Sequence, residues 1–157
     1  MRTKTLSSEE VGRAKDPLIA FLKKYSDGRI TAKGIRWFRQ LPLNEVKDGN
    51  WVAITWKENK IAGAMIMGDY GRKEAMIVVH PEFRKHGVGE TLLNQALQQL
   101  GKVYTRVACD NIPSLKLCFS CGLKAFHLMK GPTGKPTLWL GGGNFVKEEV
   151  VQSEPIG

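Results

Sequence analysis

The residues best placed to do chemistry lie in one stretch, Val78-Val79-His80-Pro81-Glu82-Phe83-Arg84-Lys85-His86-Gly87-Val88-Gly89, where a β-like run passes through a short basic loop into an amphipathic helix. Gly87 and Gly89 let the backbone turn tightly and approach a ligand. The opening amides of the helix have no intrahelical partners and its end is positive, so these amides, with Arg84 and Lys85, suit a phosphate or pyrophosphate. An ordinary strand-to-helix turn with solvated cations is the plainer reading of the same residues. Two other phosphate-binding patterns fail. Gly87-x-Gly89-x-x-Leu92 lacks the third glycine of a dinucleotide fingerprint and the acidic residue that should follow it. In Gly131-Pro132-Thr133-Gly134-Lys135-Pro136 the glycines are too close for a P-loop, and proline stands where the metal-binding hydroxyl belongs.

Cys118-x-x-Cys121 has half of a zinc motif, but no second ligand pair follows and His127 stands alone nearby, so no metal is expected. With Cys109 the cysteines number three, an odd count that favours reduced thiols. His80 and His127 are chemically able bases, but His80 ends a strand before a proline and His127 fits a sheet face.

The elements that must position these groups fit into one domain. The chain has 157 residues with 42% hydrophobic and 25% charged, the composition of a globular protein rather than a disordered or membrane-spanning one. Its longest apolar stretch, Ile61 to Gly68, is far short of a membrane span, and Met1 to Glu10 lacks a signal-peptide core, so a cytoplasmic protein is expected. The net charge of +9 is concentrated in residues 1–40 (10 − 4 = +6) and 81–130 (7 − 3 = +4), which makes an anionic partner plausible. Ser7-Ser8-Glu9-Glu10 reads as the start of a helix running to Tyr25, and Ala32 to Gln40 as a second. Trp51 to Trp56, Ile61 to Met67 and Ala75 to Val79 read as an antiparallel meander. Val88 to Leu100 puts Val88, Leu92, Leu93, Ala96, Leu97 and Leu100 on one helical face. A strand at Val103 to Ala108, a helix at Pro113 to Cys121, and strands at Lys124 to Met129 and Thr137 to Leu140 complete the order. The fold class is α/β (α+β): a single mixed, mostly antiparallel sheet flanked by helices, in a domain over residues 1–142 followed by a short acidic tail over 143–157.

Arg84-x-x-Gly87-x-Gly89 after Val78-Val79-His80-Pro81, followed about 25 residues on by Asn111-x-x-Ser114-x-x-Leu117 running to Gly122-Leu123, resembles the GNAT superfamily of acyl-CoA-dependent N-acetyltransferases. The pairing of the two motifs in this order is more specific than either alone, and the element order is similar to that fold from about residue 3 to residue 141. The resemblance implies acetyl-CoA as acyl donor, its pyrophosphate on the backbone amides of Lys85, His86, Gly87, Val88, Gly89 and Glu90. It further implies that the pantetheine arm pairs like a strand with Ile77, Val78 and Val79, and that Asn111 and Ser114 meet the cofactor from the far side. Proteins of this kind are often homodimers, though no interface signature stands in the sequence.

Amine attack on a thioester needs an amide to polarise the carbonyl, a route for the ammonium proton and an acid for the thiolate. Here the chain departs from the family. The usual acid is a tyrosine one place after Leu117, where this chain has Cys118; relatives that acetylate protein N-termini carry a glutamate base where it has Arg106. Cys118 could supply the proton as a thiol or simply fill the core. Glu74, at the entry to the strand beside the cofactor, could anchor a water chain or be a solvated hairpin residue. By period two, Tyr104 and Arg106 share a face, where a cation favours an acceptor bearing carboxylate or phosphate; an ion pair to a structural carboxylate is the alternative. Trp37, within Lys33-Gly34-Ile35-Arg36-Trp37-Phe38-Arg39, lies where the family builds its acceptor wall, and the same pattern also suits an amphipathic helix with its aromatics in the core. The expected function is N-acetyl transfer to a small, anionic amine without a metal, with nucleic acid not the expected partner. The alternative is a non-catalytic module binding CoA or nucleic acid.

Overall fold

In a computed structural model of the chain, residues 1–41, 49–132 and 134–151 are described. The Glu10 amide donates to the Ser7 hydroxyl at 3.2 Å while the Ser7 amide donates to the Glu10 carboxylate at 3.1 Å, a reciprocal cap that opens α1 (Ser8–Tyr25). Thr31 caps α2 (Ala32–Gln40) by accepting from the Gly34 amide at 3.0 Å. The meander follows as β2 (Trp51–Lys57), β3 (Lys60–Gly68) and β4 (Glu74–Val79). Then come α3 (Val88–Leu100), β5 (Lys102–Ala108), α4 (Ile112–Ser120), β6 (Lys124–Lys130) and β7 (Pro136–Gly143).

One strand is absent from the sequence reading. Arg2–Thr5 forms β1, antiparallel to β2, with the Thr3 and Thr55 hydroxyls hydrogen-bonded at 2.8 Å. Its residues carry no apolar alternation, so only the open edge of β2 makes them a strand.

The antiparallel-rich sheet flanked by helices is present, but it is divided rather than continuous. Strands run in the order β1-β2-β3-β4 and β5-β7-β6, and every described pairing is antiparallel. Among the described residues β4 forms its ladder with β3 alone, which leaves its other edge, on the side of β5, without a strand partner. Alternation along β4 feeds two cores. Ile77 and Val79 pack with Leu92, Leu93 and Ala96 of α3, whereas Met76 and Val78 pack with Leu18 and Leu22 of α1 and Phe38 of α2.

The segment after residue 142 is tied back to the body at Val146 and Glu149. Tyr104 Oη donates to the Val146 carbonyl at 3.0 Å and accepts from the Val146 amide at 2.9 Å, and Glu149 pairs with both Arg72 and Lys102. The last part of the acidic tail, 152–157, lies outside the described residues.

Candidate active site

A cavity of about 590 Å³ opens between the free edge of β4, the start of α3 and the start of α4. Its volume is that of a site for a sizeable ligand. At one end the backbone makes two left-handed turns, at Lys85 (φ 67°) and Gly87 (φ 78°), and Gly87 caps α3 without any side-chain hydrogen bond. The first helical amides, Val88, Gly89 and Glu90, therefore have no acceptor from a cap, and Gly87, Val88, Gly89 and Glu90 all border the cavity. Gly89 also serves packing, because a Cβ there would stand 3.1 Å from the Leu117 side chain, so glycine lets α4 close against α3.

Of the two basic side chains expected as free phosphate ligands, Arg84 is engaged elsewhere and Lys85 is not. Arg84 borders the cavity, but its Nε donates to the Val79 carbonyl at 3.2 Å and its guanidinium bridges to the Tyr25 carbonyl and to Asp27 at 3.0 Å. It ties the end of α1 to the end of β4. Lys85 makes no ion pair among the described residues and lines the cavity. His86 is exposed and does not border the cavity, so its contribution is limited to the backbone. His80 is held between the rings of Tyr25 and Phe83 at 4.4 and 5.4 Å, and its Nδ1 accepts from the Glu82 amide, which makes it a cap rather than a free base. His127 is exposed on β6.

Ile77, Val78 and Val79 form the wall along the unpaired edge of β4, and Asn111 and Ser114 face them from the first turn of α4. Ser114, Leu117 and Ile77 also border a second space of about 20 Å³, which lies between Ala75 of β4 and Thr105 of β5 and reaches Cys118. Cys118 thus stands at the inner end of the gap between the two sheet sections, but its chemistry corrects the expectation of an acid. It is 4% exposed, and burial, aided by Cys121, pushes its thiol up to about 12. Donating that proton to a thiolate of ordinary basicity runs uphill by roughly 4 kcal/mol. Cys118 is a core residue.

Beyond that gap, Glu74 begins β4 on the face opposite Ala75 and Ile77. Its carboxyl is half-buried. Burial raises its pKa above the ordinary carboxylate value, while the charges of Arg106 and Lys33 pull in the opposite direction with less effect. The first turn of α2 leaves room for it: a Cβ on Gly34 would stand 3.2 Å from Glu74 Oε2. Arg106 is exposed, makes no ion pair among the described residues, and lies over the Trp139 ring at 5.2 Å. Lys33, which the sequence reading did not single out as an acceptor residue, belongs to this group through its charge on Glu74. Only the packing of α2 against β4 brings it there.

Of two expected acceptor residues, Tyr104 lies inside the fold and Trp37 is half-buried on its surface. Tyr104 shares its strand face with Arg106 but is 0% exposed, enclosed by Phe126 and Phe145, with its hydroxyl committed to Val146. Trp37 is half-buried with its indole over Gly68, where a Cβ would come within 2.4 Å of the ring. Lys33, Arg36 and Arg39 remain exposed while Phe38 is buried, the amphipathic arrangement.

The fold as a whole is similar to those of solved acetyltransferases. The ribosomal-protein-S18-alanine N-acetyltransferase of Escherichia coli superposes with a TM-score of 0.66 at 14% identity, over 99% of this chain and 98% of that one. A spermidine N-acetyltransferase of Vibrio cholerae gives 0.57 at 13% identity, over 97% and 98%. A Salmonella typhimurium protein solved with its cofactor acetyl-CoA gives 0.60 at 16% identity, over 90% and 92%. At such identities the likeness establishes the fold. The family is established by sequence: the model of the Acetyltransferase (GNAT) family matches residues 17–123, and the chain belongs to that family. No curated protein matches it.

Proposed function

We propose that the protein is a cytoplasmic N-acetyltransferase that moves the acetyl group of acetyl-CoA to the primary amine of a small, anionic acceptor. The observation that carries this reading is the continuity of the cavity: unpartnered amides at the start of α3 lead directly onto the unpaired edge of β4. The amides of Val88, Gly89 and Glu90, with Lys85, suit a diphosphate, and the edge at Ile77 to Val79 suits an extended arm bearing amide groups. Asn111 and Ser114 close the far wall. The Salmonella relative solved with acetyl-CoA supports the choice of donor.

When bound, acetyl-CoA supplies the acetyl group as a thioester, whose C–S bond gives way to an amide C–N bond on the acceptor. From Val79 to Glu74 the strand advances about 16 Å, which separates the amide-rich end of the cavity from the carboxyl that manages protons. Glu74 is the group that receives the acceptor's ammonium proton, directly or through water, and its raised pKa makes it a better base than an ordinary surface carboxylate. Arg106, fixed over Trp139, presents its charge to an acidic group on the acceptor. With Cys118 buried and weakly acidic, the departing thiolate takes its proton from solvent.

Calorimetry with CoA, followed by release of free CoA thiol in the presence of a panel of amines, tests the reading. Binding in the micromolar range with turnover on at least one amine is expected. Absence of CoA binding would overturn the site, whereas tight binding with no turnover on any amine would leave a CoA-binding module in place of an enzyme.

A further inference from the structure

Glu74 of β4, Lys33 of α2 and Arg106 of β5 stand on elements that adjoin: a Cβ on Gly34, next to Lys33, would lie 3.2 Å from Glu74 Oε2, and Ala75 and Thr105, next to Glu74 and Arg106, border one space between the strands. Both cations act on Glu74 through space, yet neither closes on it as an ion pair among the described residues. Seven close pairs form elsewhere among the described residues.

Local rules are broken at the same place. Lys33 occupies the second position of α2, where the positive end of the helix disfavours a cation, and the first turn contains no acidic residue to compensate. Gly34 follows, a poor helix former, and its missing Cβ is what leaves space for the Glu74 carboxyl. Arg106 lies over the Trp139 indole at 5.2 Å, with its side chain exposed. Choices that cost local stability and converge on one carboxyl mark a functional site.

We propose that the acceptor is a small zwitterion, whose ammonium is received at Glu74 and whose carboxylate or phosphate, a few bonds away, is held between Lys33 and Arg106. Such a molecule satisfies all three charges at once. A polyamine would meet two cations, and an uncharged amine would leave both without an anion. The inference rests on the acetyl transfer proposed above and adds Lys33 as a specificity-determining residue.

The test compares kcat/KM of the full chain, by CoA-thiol release, for glycine, β-alanine and O-phosphoethanolamine against glycinamide, ethylamine, spermidine, an acidic peptide and an amine-bearing oligonucleotide. At least about a ten-fold preference for one or more of the zwitterions over the uncharged amines is expected. Lys33→Ala should raise the KM for that zwitterion by about ten-fold, leave the KM for acetyl-CoA unchanged and narrow the preference, and Lys33→Arg should restore it. Lys33 is exposed, so the fold is not at risk. Equal rates on glycine and glycinamide, a preference for spermidine or for either macromolecule, or a preference that Lys33→Ala does not move, would each overturn the zwitterion while leaving acetyl transfer intact. No thiol release on any amine would remove both.

Discussion

Glu74 and Cys118 are both side chains able to handle a proton, and their surroundings separate them. Burial acts on both and shifts both upward. For a thiol that removes the function of an acid; for a carboxyl it improves a base. The acid limb of kcat/KM is therefore expected above the ordinary carboxylate range, activity rising with pH through the elevated Glu74 value. Glu74→Gln should abolish that limb and lower kcat by about 100-fold, as read from a pH–rate profile. The same substitution has a stability consequence. A carboxyl whose folded pKa lies above its unfolded value stabilises the fold below the unfolded pKa, and loses that contribution as pH rises through the folded one. At neutral pH the Glu74→Gln variant should then melt no lower than the parent, a pattern in which activity and stability separate.

At the scale of elements, the position of each helix start matters more than its length. The first turn of α3 provides amides and the first turn of α2 provides clearance for a carboxyl. Gly34→Ala tests the second of these. Alanine raises helix propensity by about 1 kcal/mol, so stability should hold or rise. The new Cβ, 3.2 Å from Glu74 Oε2, should displace the carboxyl and lower kcat/KM for the acceptor by about ten-fold, with CoA affinity by calorimetry unchanged. The helices and the meander were legible in the chain because periodicity and caps are short-range signals: α2 and α3 fall on the residues that their patterns predict. β1 was not legible, because Arg2–Thr5 becomes a strand through a partner about fifty residues away.

In the whole molecule, the parted sheet must be kept parted yet rigid. The turn between β3 and β4 holds it so. Gly71, at φ +96°, lies against the Tyr104 carbonyl of β5, and a Cβ there would come within 1.7 Å of that oxygen. Arg72 beside it pairs with Glu149, which also holds Lys102 and so draws the C-terminal segment onto β5. Gly71→Ala combines a disfavoured backbone angle with a backbone collision and should destabilise the protein by about 2–4 kcal/mol, measured as a lower midpoint in urea. The amino-acid order alone was enough to specify the helices, the strands other than β1, the family motifs and the glycine-bearing loop at the start of α3, since each depends on residues within a turn or two of one another. It could not assign Tyr104 to the interior, turn Arg84 toward Asp27, disqualify Cys118 or bring Lys33 to Glu74. Those roles follow from burial and from electric fields, which act through space between residues far apart in the chain, and they come into being only when the elements meet.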